Sequence, residues 1–412
     1  MDRQVAVTQE GTISTQAREG SYCAQLHMTF APELERSLQS LHCLDLLLDG
    51  STASHENFTA SQAEPRLSFE HFTQLNEQLH RLLNQFVRLP PHQVLEAFRA
   101  GLVLGDIGKS PEARRQMTSL GIDQPDHDDF YAAVLQHPTA AETLSSFHSL
   151  NTLQKQLLRA TSGLAHFGHL AHCEGGPAMY QPLRISGIVQ QAPHLLDFAL
   201  LMHTCDVAGA LAHTSNKGAR PLNDDTFTAL QATRASCLLL ADHDEMVAYQ
   251  QYLQQRAMML GLSDSSDKIS MHLLARLGAS LRLFGKEAGK TLRTAFQSLG
   301  ADDRLLAQET LGPEGAARLP RTPTYAPAVL VNLINNPSLG KTPQDRANAA
   351  LQIGLPFLGN ALRIYCQRLD QEELPPELTL NFNSAAALAR DMPEKLRGRI
   401  NIDRYTGSVL LS

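Results

Sequence analysis

Histidine and aspartate residues, the usual acid–base catalysts and metal ligands, recur in four ordered segments of the chain. These segments are FEHFTQL with His71, GDIGK with Asp106, PDHDDF with His127 and Asp128, and MHTCDVAGA with His203 and Asp206. Imidazole and carboxylate groups that converge in a fold can hold a metal ion that activates water against a phosphate ester. Alternatively, they act as nucleophile, general acid and general base without a metal.

The segment GLVLGDIGKS, residues 101–110, favours the second kind of chemistry. It resembles the HD signature of metal-dependent phosphohydrolases, but Gly105 stands where that signature has a histidine. Without this imidazole a metal site is weakened, because divalent ions at nitrogen and oxygen ligands need several convergent donors. We expect Gly108 to end the preceding helix, which places Lys109 where it meets a phosphate.

The segment around His203 predicts an apolar helix with one polar stripe. His203, Asp206 and His213 follow that stripe, and Asp206 stands one turn after His203, where it can orient the imidazole. Further along the chain, HFGHLAHCEGG (166–176) spaces three histidines by three residues and ends near Glu174. These histidines either line the cleft, bind a metal adventitiously or face solvent.

Helical periodicity dominates the elements that must position these residues. Apolar residues recur at steps of three and four, as in Phe72, Leu75, Leu79, Leu82 and Phe86, and strand-like alternation is confined to ELTLNF near 377 and SVLL near the end. We therefore predict an all-α fold with one large helical domain and an HD-phosphodiesterase-like core. The predicted division is a partly flexible N-terminal extension with one helix (1–60), a helical domain (61–370) and a C-terminal extension (371–412).

Composition excludes several classes of protein. The 412 residues carry a formal charge of -7 without a long basic run, so a general nucleic-acid binder is not expected. Six cysteines lack CxxC spacing, which is typical of reduced thiols rather than of a disulfide framework. The sequence shows neither a Sec-type signal nor an apolar run long enough for a membrane span.

The order of the motifs resembles that of a known family. His71, then GDIGK, PDHDD, HFGHLAHCEGGPA and MHTCDVAGA, resembles the phosphodiesterase domain of the SidE effectors of an intracellular bacterial pathogen, and its stand-alone relatives, the Dup deubiquitinases. The resemblance covers roughly residues 65–215. It implies an all-helical hydrolase that cleaves ADP-ribosylated ubiquitin at the pyrophosphate, and that attaches phosphoribosyl-ubiquitin to substrate serines or removes it. It also implies a secreted effector that acts in the host cytoplasm; otherwise the protein is expected to be cytoplasmic.

Roles for the residues follow from the resemblance. The family uses two histidines and a glutamate and no metal or other cofactor, so His71 becomes the nucleophile and His203 the general acid. Asp129, or else Glu142, takes the place of the glutamate that orients the nucleophile. The expected substrate-binding residues are Asp106, Lys109, His127, Asp128, Asp206, His213 and Glu174. Since the chain shows no separate ADP-ribosyltransferase segment, removal of phosphoribosyl-ubiquitin is the expected direction.

Two alternatives stay open at this point. The first is a metal-dependent HD-type phosphohydrolase that acts on nucleotides through His71, Asp106, His127 and Asp206. The second is a helical effector without catalytic activity that binds a host protein. Ubiquitin and its substrate proteins are expected partners only in the SidE/Dup interpretation, and in neither of these alternatives.

The missing histidine at Gly105 yields a test by chelation. We expect phosphodiesterase activity to survive an excess of EDTA, because the metal ligand set is incomplete at this position. The measurement is the cleavage rate before and after chelation. Activity that disappears with EDTA and returns with manganese or iron would establish the metal-dependent alternative.

Overall fold

Helices make up most of the chain. The computed structural model describes residues 31–124, 126–212, 217–263 and 267–412, and within these ranges it contains 22 α-helices and one two-stranded sheet. The predicted all-α class is therefore confirmed. Among the described helices, none combines the length and the apolar character that a bilayer crossing requires.

The first eleven helices run from the start of the described chain to residue 186: α1 Ala31–Asp49, α2 Thr52–Thr59, α3 Phe69–Leu83, α4 Pro91–Leu104, α5 Pro111–Thr118, α6 His127–Gln136, α7 Pro138–Thr143, α8 Ser145–His148, α9 Thr152–Thr161, α10 Phe167–His172 and α11 Gln181–Ser186. The other eleven are α12 Ile188–Gln191, α13 Pro193–Gly209, α14 Asp224–Leu238, α15 Glu245–Met259, α16 Lys268–Ser280, α17 Lys286–Gln297, α18 Ala301–Leu311, α19 Pro313–Ala317, α20 Ala326–Asn335, α21 Pro343–Asp370 and α22 Asn383–Asp391. Short 3₁₀ turns lie at Ile107–Lys109, Pro177–Tyr180, Leu239–Ala241, Pro337–Leu339 and Pro393–Arg397.

The chain divides into two compact units. The first contains the described residues up to Leu164 together with Ser186–Arg234, and the second contains Ala165–Ile185 and Ala235–Ser412. In the second unit, the long helix α21 packs against α17, α18 and α20, and α15 packs against α16. The unit boundaries do not coincide with residues 60 and 370, and the predicted domain division stays a prediction.

Helix α3 illustrates why the periodic segments fold as predicted. Phe72, Leu75, Leu79 and Leu82 are all buried, so the apolar face of α3 lies against the core. The Ser68 side chain caps the helix by accepting a hydrogen bond from the backbone N–H of His71. Phe86 lies beyond the end of α3.

The predicted end of the GDIGK helix is wrong. Helix α4 ends at Leu104, and Gly108 lies in the 3₁₀ turn Ile107–Lys109 rather than in a left-handed cap. A Cβ atom on Gly108 would stand 2.5 Å from the backbone oxygen of His127. Glycine is therefore needed here for the close approach of the start of α6, which brings His127 near the turn that carries Asp106 and Lys109.

The C-terminal sheet is small. Strands β1 (Ile400–Ile402) and β2 (Val409–Leu411) pair antiparallel, with Asn401 opposite Leu410. The predicted strand SVLL is therefore confirmed. The predicted strand ELTLNF is not: in this segment Asn381 forms only isolated bridges, with Thr324 and with Ser408.

Helices α1 and α13 make the most extensive contact between two helices of the first unit. Gly209 allows this contact, since a Cβ atom at this position would lie 2.2 Å from Ser40 Oγ and 2.5 Å from the backbone oxygen of Arg36. The small residue therefore brings the N-terminal half of α1 against the end of α13, where Asp206 is located.

We expect Gly209→Ala to lower the free energy of unfolding by about 1–3 kcal/mol, because overpacking outweighs the better helix propensity of alanine. Urea denaturation of wild type and variant measures the difference. Gly105→Ala is the control: its backbone is right-handed helical, and the nearest atom to its new Cβ is the Gly101 oxygen at 3.3 Å. Equal losses in both variants would contradict the proposed role of Gly209.

Candidate functional site

Arg36 on α1 joins two carboxylates that come from different parts of the first unit. Its Nε atom lies 3.0 Å from Asp106 Oδ2 and 2.9 Å from Asp206 Oδ1. A terminal guanidinium nitrogen also donates to the second oxygen of Asp206, so Arg36 binds Asp206 in a bidentate manner. The guanidinium thereby connects α1, the turn after α4 and the end of α13.

Lys109 and Glu33 complete the cluster on the other side of Asp106. Lys109 Nζ lies 2.7 Å from Asp106 Oδ1 and 3.4 Å from Glu33 Oε2. The side chains of Glu33 and Asp106 are also hydrogen-bonded to each other. Two carboxyl groups can share such a bond only when one of them carries a proton.

The surroundings of the two carboxyl groups decide which of them holds the proton. Burial raises the pKa of Glu33 to about 7, the hydrogen bond to Asp106 and its charge act in the same direction, and Lys109 and Arg36 oppose them. Burial alone would also raise the pKa of Asp106, but Arg36, Glu33 and Lys109 together hold it below its usual value. Glu33 is therefore the proton donor of the pair, and Asp106 is the carboxylate.

Burial works against the charge of Arg36, but the carboxylates of Asp206 and Asp106 outweigh it and raise the pKa of the guanidinium further. Arg36 thus stays protonated throughout the accessible pH range. The cluster of Glu33, Arg36, Asp106, Lys109 and Asp206 is called the arginine cluster below.

His127 lies at the edge of the arginine cluster. Its Nε2 atom is 4.0 Å from Asp106 Oδ1 and 3.5 Å from Asp128 Oδ1. Asp126 caps α6 by accepting hydrogen bonds from the backbone N–H groups of Asp128 and Asp129. Asp126, His127 and Asp128 are close enough together to hold a metal ion, but acidic residues in a first helical turn have a sufficient structural explanation in the helix dipole.

His71 belongs to a second group of residues in the same unit. Its Nδ1 atom lies 2.7 Å from Asp224 Oδ1, and its ring stacks on Phe227 with 4.4 Å between centroids. Asp224 Oδ1 also accepts a hydrogen bond of 2.7 Å from the backbone N–H of Ser68. Burial acts to raise the pKa of Asp224, but the bonds from Ser68 and His71 outweigh it and lower the pKa, so Asp224 is an anion.

Because Asp224 occupies Nδ1, the Nε2 atom of His71 carries the lone pair in the neutral imidazole. The side chain of His71 is 28% exposed, so the imidazole is partly open to solvent. An imidazole with one nitrogen fixed by a carboxylate and the other accessible is suited to act as a nucleophile or a general base.

Comparison with protein families shows to which family the chain belongs. A family described as a family of unknown function (DUF6829) matches residues 3–386. The chain belongs to DUF6829. No curated protein and no solved structure matches the chain.

The structure of this DUF6829 chain brings together part of the predicted site. Asp106, Lys109, His127, Asp128 and Asp206 lie in or beside the arginine cluster. His203 is on α13, one turn before Asp206, and is half-buried. In the described part of the chain, His203 is not among the hydrogen-bond or ring partners of His71.

The carboxylate that orients His71 is Asp224, not Asp129 or Glu142. Glu142 binds Lys155 Nζ at 2.8 Å and His148 Nδ1 at 3.1 Å on the surface of α7. Asp129 is exposed in the first turn of α6, where its backbone N–H donates to Asp126. Glu142 is thus engaged by Lys155 and His148, and the carboxylate that is hydrogen-bonded to His71 is that of Asp224.

One of the predicted substrate-binding residues lies in the second unit. Glu174 belongs to the second unit, where its Oε2 atom is 3.7 Å from His169 Nε2. The His169 ring stacks almost parallel on His166, with centroids 4.8 Å apart. His213 lies outside the described residues of the DUF6829 chain.

Sequence reasoning missed Glu33, Arg36 and Asp224. Glu33 and Arg36 are three residues apart on α1 and so share a helix face, which is the one signal that the sequence offers for them. Asp224 stands in NDDTF at the start of α14, where it is indistinguishable from an ordinary first-turn acid.

The raised pKa of Glu33 predicts a pH dependence of stability. The pKa is about 7 in the folded protein and 4.5 as the ordinary value, so the stabilisation is complete at acid pH and is lost as pH rises through about 7. We expect the free energy of unfolding of wild type to fall, relative to Glu33→Gln, by on the order of 1–3 kcal/mol between about pH 5 and about pH 8.

Urea denaturation across this pH range measures the effect. Glutamine keeps a neutral side chain that can donate to Asp106 at every pH. Glu56→Gln on the exposed side of α2 is the matched control and should keep the wild-type profile. Parallel profiles of wild type and Glu33→Gln would contradict the assignment of the proton to Glu33.

Proposed function

We propose that this protein is a metal-independent phosphodiesterase in which His71 is the nucleophile and Asp224 orients it. The observation that carries the proposal is the 2.7 Å contact between His71 Nδ1 and Asp224 Oδ1. It fixes one tautomer and directs the Nε2 lone pair away from the carboxylate. The same division of labour between an imidazole and a carboxylate recurs in nucleophilic and acid–base catalysis on unrelated folds.

The reaction has two steps. His71 Nε2 attacks phosphorus, an N–P bond forms, and the P–O bond to the leaving group breaks as an acid protonates the departing oxygen. Water then attacks phosphorus and gives a proton to the deprotonated acid, the N–P bond breaks, and the imidazole is regenerated. Asp224 stabilises the positive charge that develops on the imidazole, and His203 keeps its predicted role as the acid.

The arginine cluster supports a reaction without a metal. The metal-dependent alternative needs His71, Asp106, His127 and Asp206 as ligands of one site. In the first unit, however, the guanidinium of Arg36 already binds Asp106 and Asp206, and His71 binds Asp224. A fixed positive charge thus stands between the two aspartates to which a metal ion would bind.

The substrate class rests on the sequence resemblance. The order of His71, GDIGK, PDHDD and MHTCDVAGA is similar to that of the SidE and Dup domains. We therefore propose phosphoribosyl-ubiquitin joined to substrate serines as the target, with hydrolysis as the direction, and a secreted effector acting in a host cell as the biological setting.

The test is incubation with phosphoribosyl-linked ubiquitin conjugates, followed by gel shift and mass spectrometry of the products. We expect His71→Ala to abolish cleavage and Asp224→Asn to lower the rate roughly a hundredfold, because the imidazole loses its fixed tautomer. His148→Ala is the matched control, since His148 also pairs with a carboxylate, Glu142, but is exposed on the surface.

Wild-type activity is expected for His148→Ala. Three outcomes would overturn the proposal: an inert wild-type protein, equal activity of His71→Ala and wild type, or an equal loss in His148→Ala.

A further inference from the structure

Asp224 and His71 come from two chain segments that are far apart in sequence, and one buried side chain ties these segments together. Gln62, which follows α2, is only 5% exposed. Its Nε2 atom donates to the backbone oxygens of Ala219 at 2.7 Å and Leu222 at 2.8 Å, and its Oε1 atom accepts from the backbone N–H of Leu67 at 2.8 Å. The amide group thus uses both N–H donors and its oxygen.

The backbone groups that Gln62 binds belong to the segments that lead into α3 and α14. Leu67 precedes Ser68, which caps α3 and donates its backbone N–H to Asp224. Leu222 lies two residues before Asp224 at the start of α14. Gln62 therefore holds the entry of α3, which carries His71, against the entry of α14, which carries Asp224.

The segment before α14 has no regular structure of its own between Lys217 and Asn223. Besides Gln62, it is held by Gln39, whose Nε2 atom donates to the Gly218 oxygen at 3.0 Å, and by the Ala219 N–H, which donates to the Phe58 oxygen at 2.7 Å. Gln62 is distinct because it binds both segments at once. Gln39 fixes only the end that is distant from Asp224.

Loss of the Gln62 amide would destabilise the segment before α14. Ala219 and Leu222 are fully buried. Without the amide the Ala219 oxygen keeps only the N–H of Leu222, and the Leu222 oxygen loses the donor supplied by Gln62, in an interior where an unsatisfied group costs about 1–3 kcal/mol. The cheapest relief is movement of the segment toward water, which withdraws Asp224 from His71. A displacement of about 1 Å is enough to lower a catalytic rate roughly a hundredfold.

We propose that Gln62 is a positioning residue, which sets the His71–Asp224 hydrogen bond by fixing the segment before α14 to the start of α3. The consequence for activity rests on the proposed function of His71, but the consequence for the imidazole does not. The role of Gln62 is therefore tested by two separate readouts, the tautomer of His71 and the rate of phosphodiester cleavage.

The experiment compares Gln62→Leu, Gln62→Asn and Gln62→Glu in the full chain. Leucine has a similar size and makes no hydrogen bonds, asparagine is one methylene shorter, and glutamate keeps the acceptor for Leu67 but, when ionised, has no donor. Nitrogen NMR of the histidine rings reports whether Nδ1 of His71 carries the proton. The His71→Ala spectrum assigns the signal.

In wild type we expect the Nδ1–H tautomer, held by Asp224. Gln62→Leu and Gln62→Asn should convert it to a mixture of tautomers, and Gln62→Glu should do the same because both carbonyl contacts are lost. Cleavage of the phosphoribosyl conjugate should fall roughly a hundredfold with an unchanged KM, as expected for a misplaced nucleophile rather than a lost binding contact.

Gln154→Leu is the matched control. Gln154 is 2% exposed in the same unit and also bonds through its amide, to the Gln93 oxygen and to Glu96, at 2.8 Å each. It belongs to the capping box of α9, so its loss should lower stability without changing the His71 signal.

The outcomes separate the two proposals. A wild-type tautomer in folded Gln62→Leu, or the same tautomer change in Gln154→Leu, overturns the role of Gln62. If Gln62→Leu does not fold, the tautomer in Gln62→Asn decides in the same way. A tautomer change in the Gln62 variants of a protein whose wild type cleaves no conjugate supports the role of Gln62 and contradicts the proposed function.

Discussion

The ion pairs of Arg36 with Asp106 and Asp206 join three segments of the first unit. Within the described residues, Arg36 is the one cation that contacts both Asp106 and Asp206. The turn that carries Asp106, the end of α13 and the N-terminal half of α1 meet at its guanidinium. Removing one partner of a buried ion pair costs several kcal/mol, because the remaining charge is left in a poorly solvated place. Gly209 serves this interaction, since only a residue without a side chain lets α13 come close enough to α1.

The same ion pairs occupy the carboxylates that an HD-type metal site would use. Carboxylates that face one another across two helices need a positive charge between them, and either a metal ion or a guanidinium can supply it. In this chain Arg36 supplies it from within, and the position before Asp106 is the helix cap Gly105. The pattern of an HD signature without its histidine is therefore consistent with an arginine in the place of the cation.

The sequence was sufficient for the fold class but only partly for the site. Periodicity predicted α3 and α13 because burial of one face depends on neighbours three and four residues away. Arg36 could not be predicted as the partner of Asp206, since the two residues are 170 positions apart and their helices look ordinary alone. Asp224 was missed for the same reason, since it is 153 positions from His71. The close approach at Gly108 depends on the path of α6, which no local pattern encodes.

The carboxyl groups of Glu33 and Asp224, which belong to the two groups of residues in the first unit, have pKa values that are shifted in opposite directions. Glu33 is a carboxylic acid near its midpoint because it is buried beside Asp106, whereas Asp224 is a carboxylate because Ser68 and His71 donate to it. Titratable groups whose environments push their pKa values apart are the usual source of acid and base roles. In the proposed function, Asp224 serves an imidazole that attacks phosphorus. Glu33 is bound into a cluster in which a proton and two cations balance three carboxyl groups. The first arrangement leaves the imidazole partly exposed, whereas the second pairs each charged group within the cluster. This difference is why the proposed chemistry is placed on His71, and why the arginine cluster is described as a connection between α1, the turn after α4 and the end of α13.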